Sequence, residues 1–369
     1  MLVTIAIGFG CLLLLEGIAR LFFPKPPRFL EPQVRVVLDN RIGYCNHPNQ
    51  TAFSKDRVAT INSFGFRGPE IQLKRQANSF RVLGLGNSIS FGGGLADNET
   101  YFAYLNEQLN TRFPDQKNEV LNASIYGFTI RQYIPFLESV LPKVKPDVVL
   151  IGAAWRDLHY NPRFGQLQET VDEETWENIK KKFRERIEKP DFPATKKERS
   201  IKKLKNLLRN WRTVFVANYY LQVLKDVIKP PNYHLWQRAF LSGEKNEEIE
   251  KRRVETRKTL GRMKRLCEQR NTKFAVLIFP DYKQINNVFP KSFWPSLLTD
   301  ICSDLGIPYL DLLSPIQKAY AQNGRSIFLP YDVHHYSADV HEEIAEVLFE
   351  FMREKELLKE QKTPQVIVD

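Results

Sequence analysis

Apolar residues gather along this chain in short continuous runs, separated by stretches in which they recur every three or four positions. Residues 80–86 carry Phe80, Val82, Leu83 and Leu85 and close on Gly86, which predicts a buried strand running into a turn. Residues 120–123 predict a second strand, 147–152 a third, 273–279 a fourth and 308–312 a fifth. The third is continuously apolar from Val148 to Ile151, as expected at the centre of a parallel sheet. Residues 101–113, 129–140 and 337–353 have helical spacing. Strands alternating with helices predict an α/β fold with a doubly wound parallel sheet.

Two segments stand outside this alternation. Residues 2–15 are almost entirely apolar, Glu16 interrupts, and apolar residues resume from Ile18 to Phe23 before Pro24. A helix over residues 2–23 is about 33 Å long and able to cross a bilayer core. The leading expectation is therefore an N-terminal transmembrane helix acting as a signal anchor, with Glu16 and Arg20 paired at i,i+4 near one interface. A cleaved signal peptide lacks a small-x-small site, a lipobox at Cys11 is a poor match, and a buried soluble helix is the plain alternative. Basic residues follow the run (Arg20, Lys25, Arg28) and none precedes it, a pattern that favours a cytoplasmic body.

The second segment separates the third and fourth strands by some 120 residues, far more than a crossover needs. Within it Ile201, Leu204, Leu208, Trp211 and Phe215 recur at helical spacing among Lys202, Lys203, Lys205, Arg209 and Arg212. This predicts a basic amphipathic helix, either a cap packed on the sheet or a membrane-surface or acyl-binding element. It also holds much of the formal net charge of +11. No nucleic-acid motif accompanies that charge, so a nucleic-acid partner is not expected. Pro24, Pro26, Pro27 and Pro32 read as a stiff spacer, and residues 33–80 as an irregular leader with turns at its glycines. The cysteines Cys11, Cys45, Cys267 and Cys302 show no CxxC spacing, so neither a zinc site nor a disulfide framework is expected.

Candidate chemistry sits in two places. Gly86-Asn87-Ser88 follows the first strand, where α/β folds place their active sites and where backbone N–H groups of a turn and helix start can stabilise an oxyanion. A nucleotide loop is a poor reading, since the third glycine and a GK[ST] are missing. Near the other end lies Asp332-Val333-His334-His335. Serine needs an adjacent base, histidine supplies one near neutrality, and an Asp three residues earlier can hold the ring in the required tautomer. His334 and His341 are near, but a zinc cluster lacks a ready third ligand. No metal or cofactor is expected.

Together these residues resemble the SGNH, or GDSL, hydrolases. Gly86-Asn87-Ser88-Ile89-Ser90-Phe91-Gly92 is similar to the opening block, and Leu121-Asn122-Ala123-Ser124-Ile125-Tyr126-Gly127 to the second. Asp332-x-x-His335 with His341, Ile344 and Ala345 is similar to the last. The leader resembles that of bacterial membrane-anchored members, in Gly43, Tyr44, Pro48 and Asn49 and in Asn62 with Gly65-Phe66-Arg67-Gly68. The resemblance spans roughly residues 40–155 and 270–350. It implies a flavodoxin-like SGNH-hydrolase fold, catalytic Ser88, Asp332 and His335, an oxyanion hole from Ser88 and Gly127, and a body outside the cytoplasm. Three departures stand out. Asn87 replaces the Asp before the serine, Arg156 occupies the place of the oxyanion-hole Asn, and Val340 replaces the glycine before His341. Arg156 could still donate to an oxyanion.

The expected organisation is an anchor over 1–23, spacer and leader over 24–75, and an SGNH domain over 76–360 with a helical insertion at about 160–265. The expected function is a serine esterase or deacylase acting on an O-acylated small molecule, lipid or glycan. An O-acyltransferase on an envelope glycan, or a degenerate domain that only binds, are the alternatives.

Overall fold

The computed structural model describes residues 2–39, 41–76, 78–158, 211–229, 238–244, 246–289 and 293–359. Leader strands β1 (Val36–Asp39), β2 (Gly43–Asn46), β3 (Gln50–Ser54) and β4 (Arg57–Ile61) come first. The central sheet has β5 (Ser79–Gly86), β6 (Lys117–Asn122), β7 (Val148–Ala154), β8 (Lys273–Phe279) and β9 (Tyr309–Asp311), all parallel, in the order β6-β5-β7-β8-β9. The chain thus starts inside the sheet, steps to one edge, then returns across to the other. That reversal between β5 and β7 opens the crevice in which such sheets carry their sites.

Alternation along the strands explains why both faces are covered. Leu83, Leu85, Val149, Ile151, Phe274, Val276 and Ile278 join one buried cluster. Val82, Val148, Leu150, Ala275 and Leu277 join the other. The first face is covered by α4 (Ile130–Val144) and the second by α3 (Tyr101–Arg112), with α2 (Ser88–Phe91) a single short turn after β5. Further helices are α5 (Arg212–Ile228), α6 (Glu247–Glu268), α7 (Tyr282–Ile285), α8 (Phe293–Asp304), α9 (Leu313–Asn323) and α10 (Ala338–Glu354). A continuously apolar strand such as β7 is what a sheet buried on both faces requires.

The leader departs from the irregular segment expected of it. β1 pairs antiparallel with β2, and β3 with β4. The strands are only four or five residues long, and β3 alternates buried with more open positions, Gln50, Ala52 and Ser54 being the buried ones. With polar residues at the buried positions, hydrophobic alternation gives little sign of it.

The N-terminal helix α1 (Leu2–Phe22) forms where the apolar run predicts it. The transmembrane reading is not supported: among the described residues no helix is long and apolar enough to cross a membrane. The expected Glu16–Arg20 pair is present at 2.8 Å, but Glu16 is buried and turned to a protein partner, the start of α5. The basic amphipathic helix expected over 201–215 is also corrected where it can be followed. Trp211 has extended backbone and stands at the N-cap of α5, so no single helix runs through it. Its earlier part, and most of the expected insertion, lie outside the described residues.

Candidate active site

The site forms where the C-terminal ends of the central strands meet the loop before α10. β5 delivers Ser88 through the turn at Asn87, whose side-chain oxygen accepts the Ile89 N–H at 2.9 Å and caps α2. At the start of a helix the Ser88 N–H has no intrahelical acceptor and stays available. The loop before α10 delivers Asp332 and His335. His335 Nε2 lies 2.9 Å from Ser88 Oγ, and its Nδ1 lies 2.7 Å from Asp332 Oδ2. The structure thus brings the three expected side chains into one hydrogen-bonded relay across 247 positions of sequence. Asp332 Oδ1 also accepts the backbone N–H groups of His334 and His335, at 2.8 and 3.1 Å. Burial alone would raise the Asp332 carboxyl, but the His335 ring and the Lys55 ammonium outweigh it and hold the group far below the usual carboxylate range. Asp332 is therefore ionised wherever histidine is neutral.

Gly127 occupies the turn after β6 with φ of +70°, a left-handed conformation that favours glycine. Its preceding residue, Tyr126, is tied down on both sides. The Tyr126 carbonyl accepts the Tyr44 hydroxyl at 2.7 Å, and its own hydroxyl lies 2.7 Å from Ser54 Oγ, which in turn accepts the Gly94 N–H. Arg67 braces the loop that follows Ser88. Its guanidinium donates to the carbonyls of Phe91, Gly92 and Leu95 at 2.6–2.8 Å while pairing with Asp97. The leader stretches containing Tyr44 and Arg67 are therefore structural supports of the serine and Gly127 loops.

Arg156 follows β7 but is exposed, with its guanidinium 2.9 Å from His334 Nε2 and 5.5 Å from the Trp155 ring. The inward position is held instead by Asp157, only 2% exposed. Asp157 accepts the Asn87 amide at 2.6 Å, the Ala154 N–H at 2.9 Å and the Tyr133 hydroxyl at 3.4 Å. Burial nevertheless pushes its carboxyl up to about 7. His341 is buried in α10, accepts the Tyr101 N–H at Nδ1 and is pushed down to about 3 by burial and by the nearby Arg67 and His335. It is a neutral packing histidine. Among the described residues no cluster of three or more His, Cys, Asp or Glu could hold a metal ion.

Sequence reasoning passed over Lys55, whose Nζ lies 2.9 Å from Asp332 Oδ2. Gly93, in the glycine run after Ser88, lies against the same base: a Cβ there would stand 2.9 Å from His335 Cδ2. The run of three glycines was the available sign for the second; a lysine in a two-residue turn gave none for the first.

No family model matches the chain, and no curated protein matches it. Solved structures of similar shape include an α/β hydrolase enzyme from the metagenome of Lake Arreo, Spain, 14% identical, with a TM-score of 0.43 over 76% of this chain and 97% of that one. TesA is 14% identical, with a TM-score of 0.41 over 75% and 99%. An acetylxylan esterase from Geobacillus stearothermophilus is 15% identical, with a TM-score of 0.42 over 74% and 94%.

Proposed function

We propose that this chain is an SGNH-type serine ester hydrolase that works through an acyl-serine intermediate on an O-acylated substrate. The observation that carries the reading is the Ser88–His335–Asp332 relay, with both links at hydrogen-bond length. In the proposed reaction His335 Nε2 takes the Ser88 proton as Oγ attacks the ester carbonyl. Asp332 holds the Nδ1–H tautomer and faces the imidazolium that forms. The developing oxyanion rests on the backbone N–H groups of Ser88 and Gly127. His335 then returns the proton to the leaving alcohol, and a water activated by the same imidazole releases the acid. Arg156, expected as a third donor, is engaged with His334, so the reading rests on the two backbone donors.

Placement of the body outside the cytoplasm belongs to the same proposal. Its support is the resemblance of the leader, in Gly43, Tyr44, Pro48 and Asn49 and in Asn62 with Gly65 to Gly68, to that of membrane-anchored members, against which stand the basic residues that follow α1. Phosphatase fused to the C-terminus should then be active in intact cells, and inactive fusion protein would count against it.

The decisive test of the chemistry is fluorophosphonate labelling of the full chain beside Ser88→Ala, followed by p-nitrophenyl acetate turnover. Labelling and turnover that vanish in the folded variant are expected. A well-folded wild-type protein that fails to label would overturn the reading and favour a binding domain. With a glycan acceptor present, transfer exceeding hydrolysis would reassign the same acyl-serine step to an acyltransferase.

A further inference from the structure

Lys55 sits at the first position of the two-residue turn between β3 and β4, with φ of +61°. The leader clamps that turn. The Lys55 carbonyl accepts the Leu30 N–H at 2.9 Å and the Gln33 amide at 2.7 Å, while the Lys55 N–H donates to Gln33 Oε1 at 3.1 Å. The side chain passes beside Gly94, where a Cβ would stand 3.0 Å from Lys55 Cδ, and ends on Asp332 Oδ2. The lysine and aspartate side chains are only 17% and 16% exposed, so this is not a loose surface pair. Oδ2 also receives His335 Nδ1, and Oδ1 receives two backbone N–H groups. The carboxylate is saturated with donors, one of them a full cation.

We propose that Lys55 is a positioning residue for the proposed base: its ammonium neutralises much of the charge on the Asp332 oxygen that His335 shares, and so sets how far into acid the enzyme stays active. The inference rests on the triad reading above. A carboxylate beside an imidazole favours the imidazolium, and a cation on that carboxylate opposes it. Other groups among the described residues also face His335. Asp332 and His334 come from its own loop, with Arg156 against His334; Tyr126 comes from the turn after β6, and His341, itself near Arg67, acts from behind. Among the described residues, Lys55 is the cation that touches Asp332, through an oxygen shared with the base.

The test compares kcat/KM for p-nitrophenyl acetate against pH in the full-length wild type, Lys55→Met and Lys55→Arg, with Ser88→Ala as blank. Methionine keeps the stem that packs beside Gly94 and removes the charge; arginine keeps the charge. The acid limb should move up by about one pH unit in Lys55→Met and stay near the wild-type position in Lys55→Arg. A limb that does not move in Lys55→Met, or that moves equally in both variants, overturns the inference alone. Turnover that survives Ser88→Ala overturns the triad reading and the inference with it. Fluorophosphonate labelling of Lys55→Met at pH 8 separates a tuned base from a collapsed site: labelling near the wild-type rate is expected, and its loss would assign Lys55 to folding.

Discussion

The amide of Asn87 donates to the buried carboxylate of Asp157 across 2.6 Å, directly behind the serine. The same side chain caps α2 through its oxygen, so one residue orients the helix start and satisfies a buried acid. An aspartate at position 87 would keep the cap but set two carboxylates against each other. The departure from the resembled Gly-Asp-Ser pattern is thus matched to the acid at 157.

Asn87→Asp should therefore destabilise the fold in a pH-dependent way. In the folded variant the pair must share a proton, whereas the unfolded chain loses both near pH 4. Folding then takes up protons, and stability falls as pH rises. A loss of roughly 3 kcal/mol at pH 8, much reduced at pH 5, is expected from burying an opposed charge pair. Chemical denaturation at the two pH values checks it, and equal losses at both would refute the pairing.

In the wild type two buried groups move stability in opposite senses as pH changes. Asp157 is raised from an ordinary carboxyl to about 7, so its protonated form favours the folded state. That contribution is complete below about pH 4 and is lost as pH climbs to about 7, at roughly 1.4 kcal/mol for each pH unit crossed. His341 acts in the opposite sense. Pushed down to about 3, it supports the fold above about pH 6.5 and withdraws that support as pH falls toward 3. Between about pH 4 and 6.5 the two nearly cancel, so wild-type stability should be nearly level there, whereas in Asp157→Asn it should rise with pH across that range. A melting-temperature series in which Asp157→Asn overlays the wild-type curve after normalisation would show that Asp157 has no part in that balance.

Gly93 packs flat against the imidazole. A Cβ there would lie 2.9 Å from His335 Cδ2, 3.2 Å from Nε2 and 2.8 Å from the Tyr126 hydroxyl. Gly93→Ala should push the ring off Ser88 and lower kcat/KM by about 10²-fold or more, since a displacement near 1 Å is that costly in a preorganised site. The global melting temperature should change little, because the strain falls on two side-chain tips, the His335 ring and the Tyr126 hydroxyl, and not on backbone. Full activity in Gly93→Ala would show that the ring has room to spare.

What could be read in the sequence follows from how local each signal is. β7, and β8 from Phe274 onward, are buried on both faces, so their residues are apolar without interruption and mark the sheet by composition alone. β6 is an edge strand whose first half is Lys117, Asn118 and Glu119, and only its apolar second half was visible. Ser88, Asp332 and His335 stand out in the sequence because each lies in a short motif. Lys55 does not, because its meaning depends on a contact 277 positions away and its neighbours are those of an ordinary turn. Arg156 shows the limit of carrying a motif over by position: the residue after β7 that turns inward is Asp157, and the arginine turns to His334.

Glu16 offers a test of how the N-terminal helix is joined to the body. It is 6% exposed and serves as a cap in trans. Its carboxylate accepts the Arg212 N–H at 3.0 Å and the Thr213 N–H and hydroxyl at 2.9 Å, where Trp211 supplies no side-chain cap of its own. Arg212 reciprocates by donating to the carbonyls of Arg20 and Phe23 at the end of α1. Glu16→Ala should leave the first turn of α5 with unsatisfied donors, at a local cost of about 1–2 kcal/mol. Hydrogen exchange at the Arg212 and Thr213 amides should quicken by roughly tenfold, while the amides of β7 and β8 keep their wild-type protection. If exchange at those two amides is unchanged, α5 is held by its packing alone and Glu16 owes its burial to Arg20.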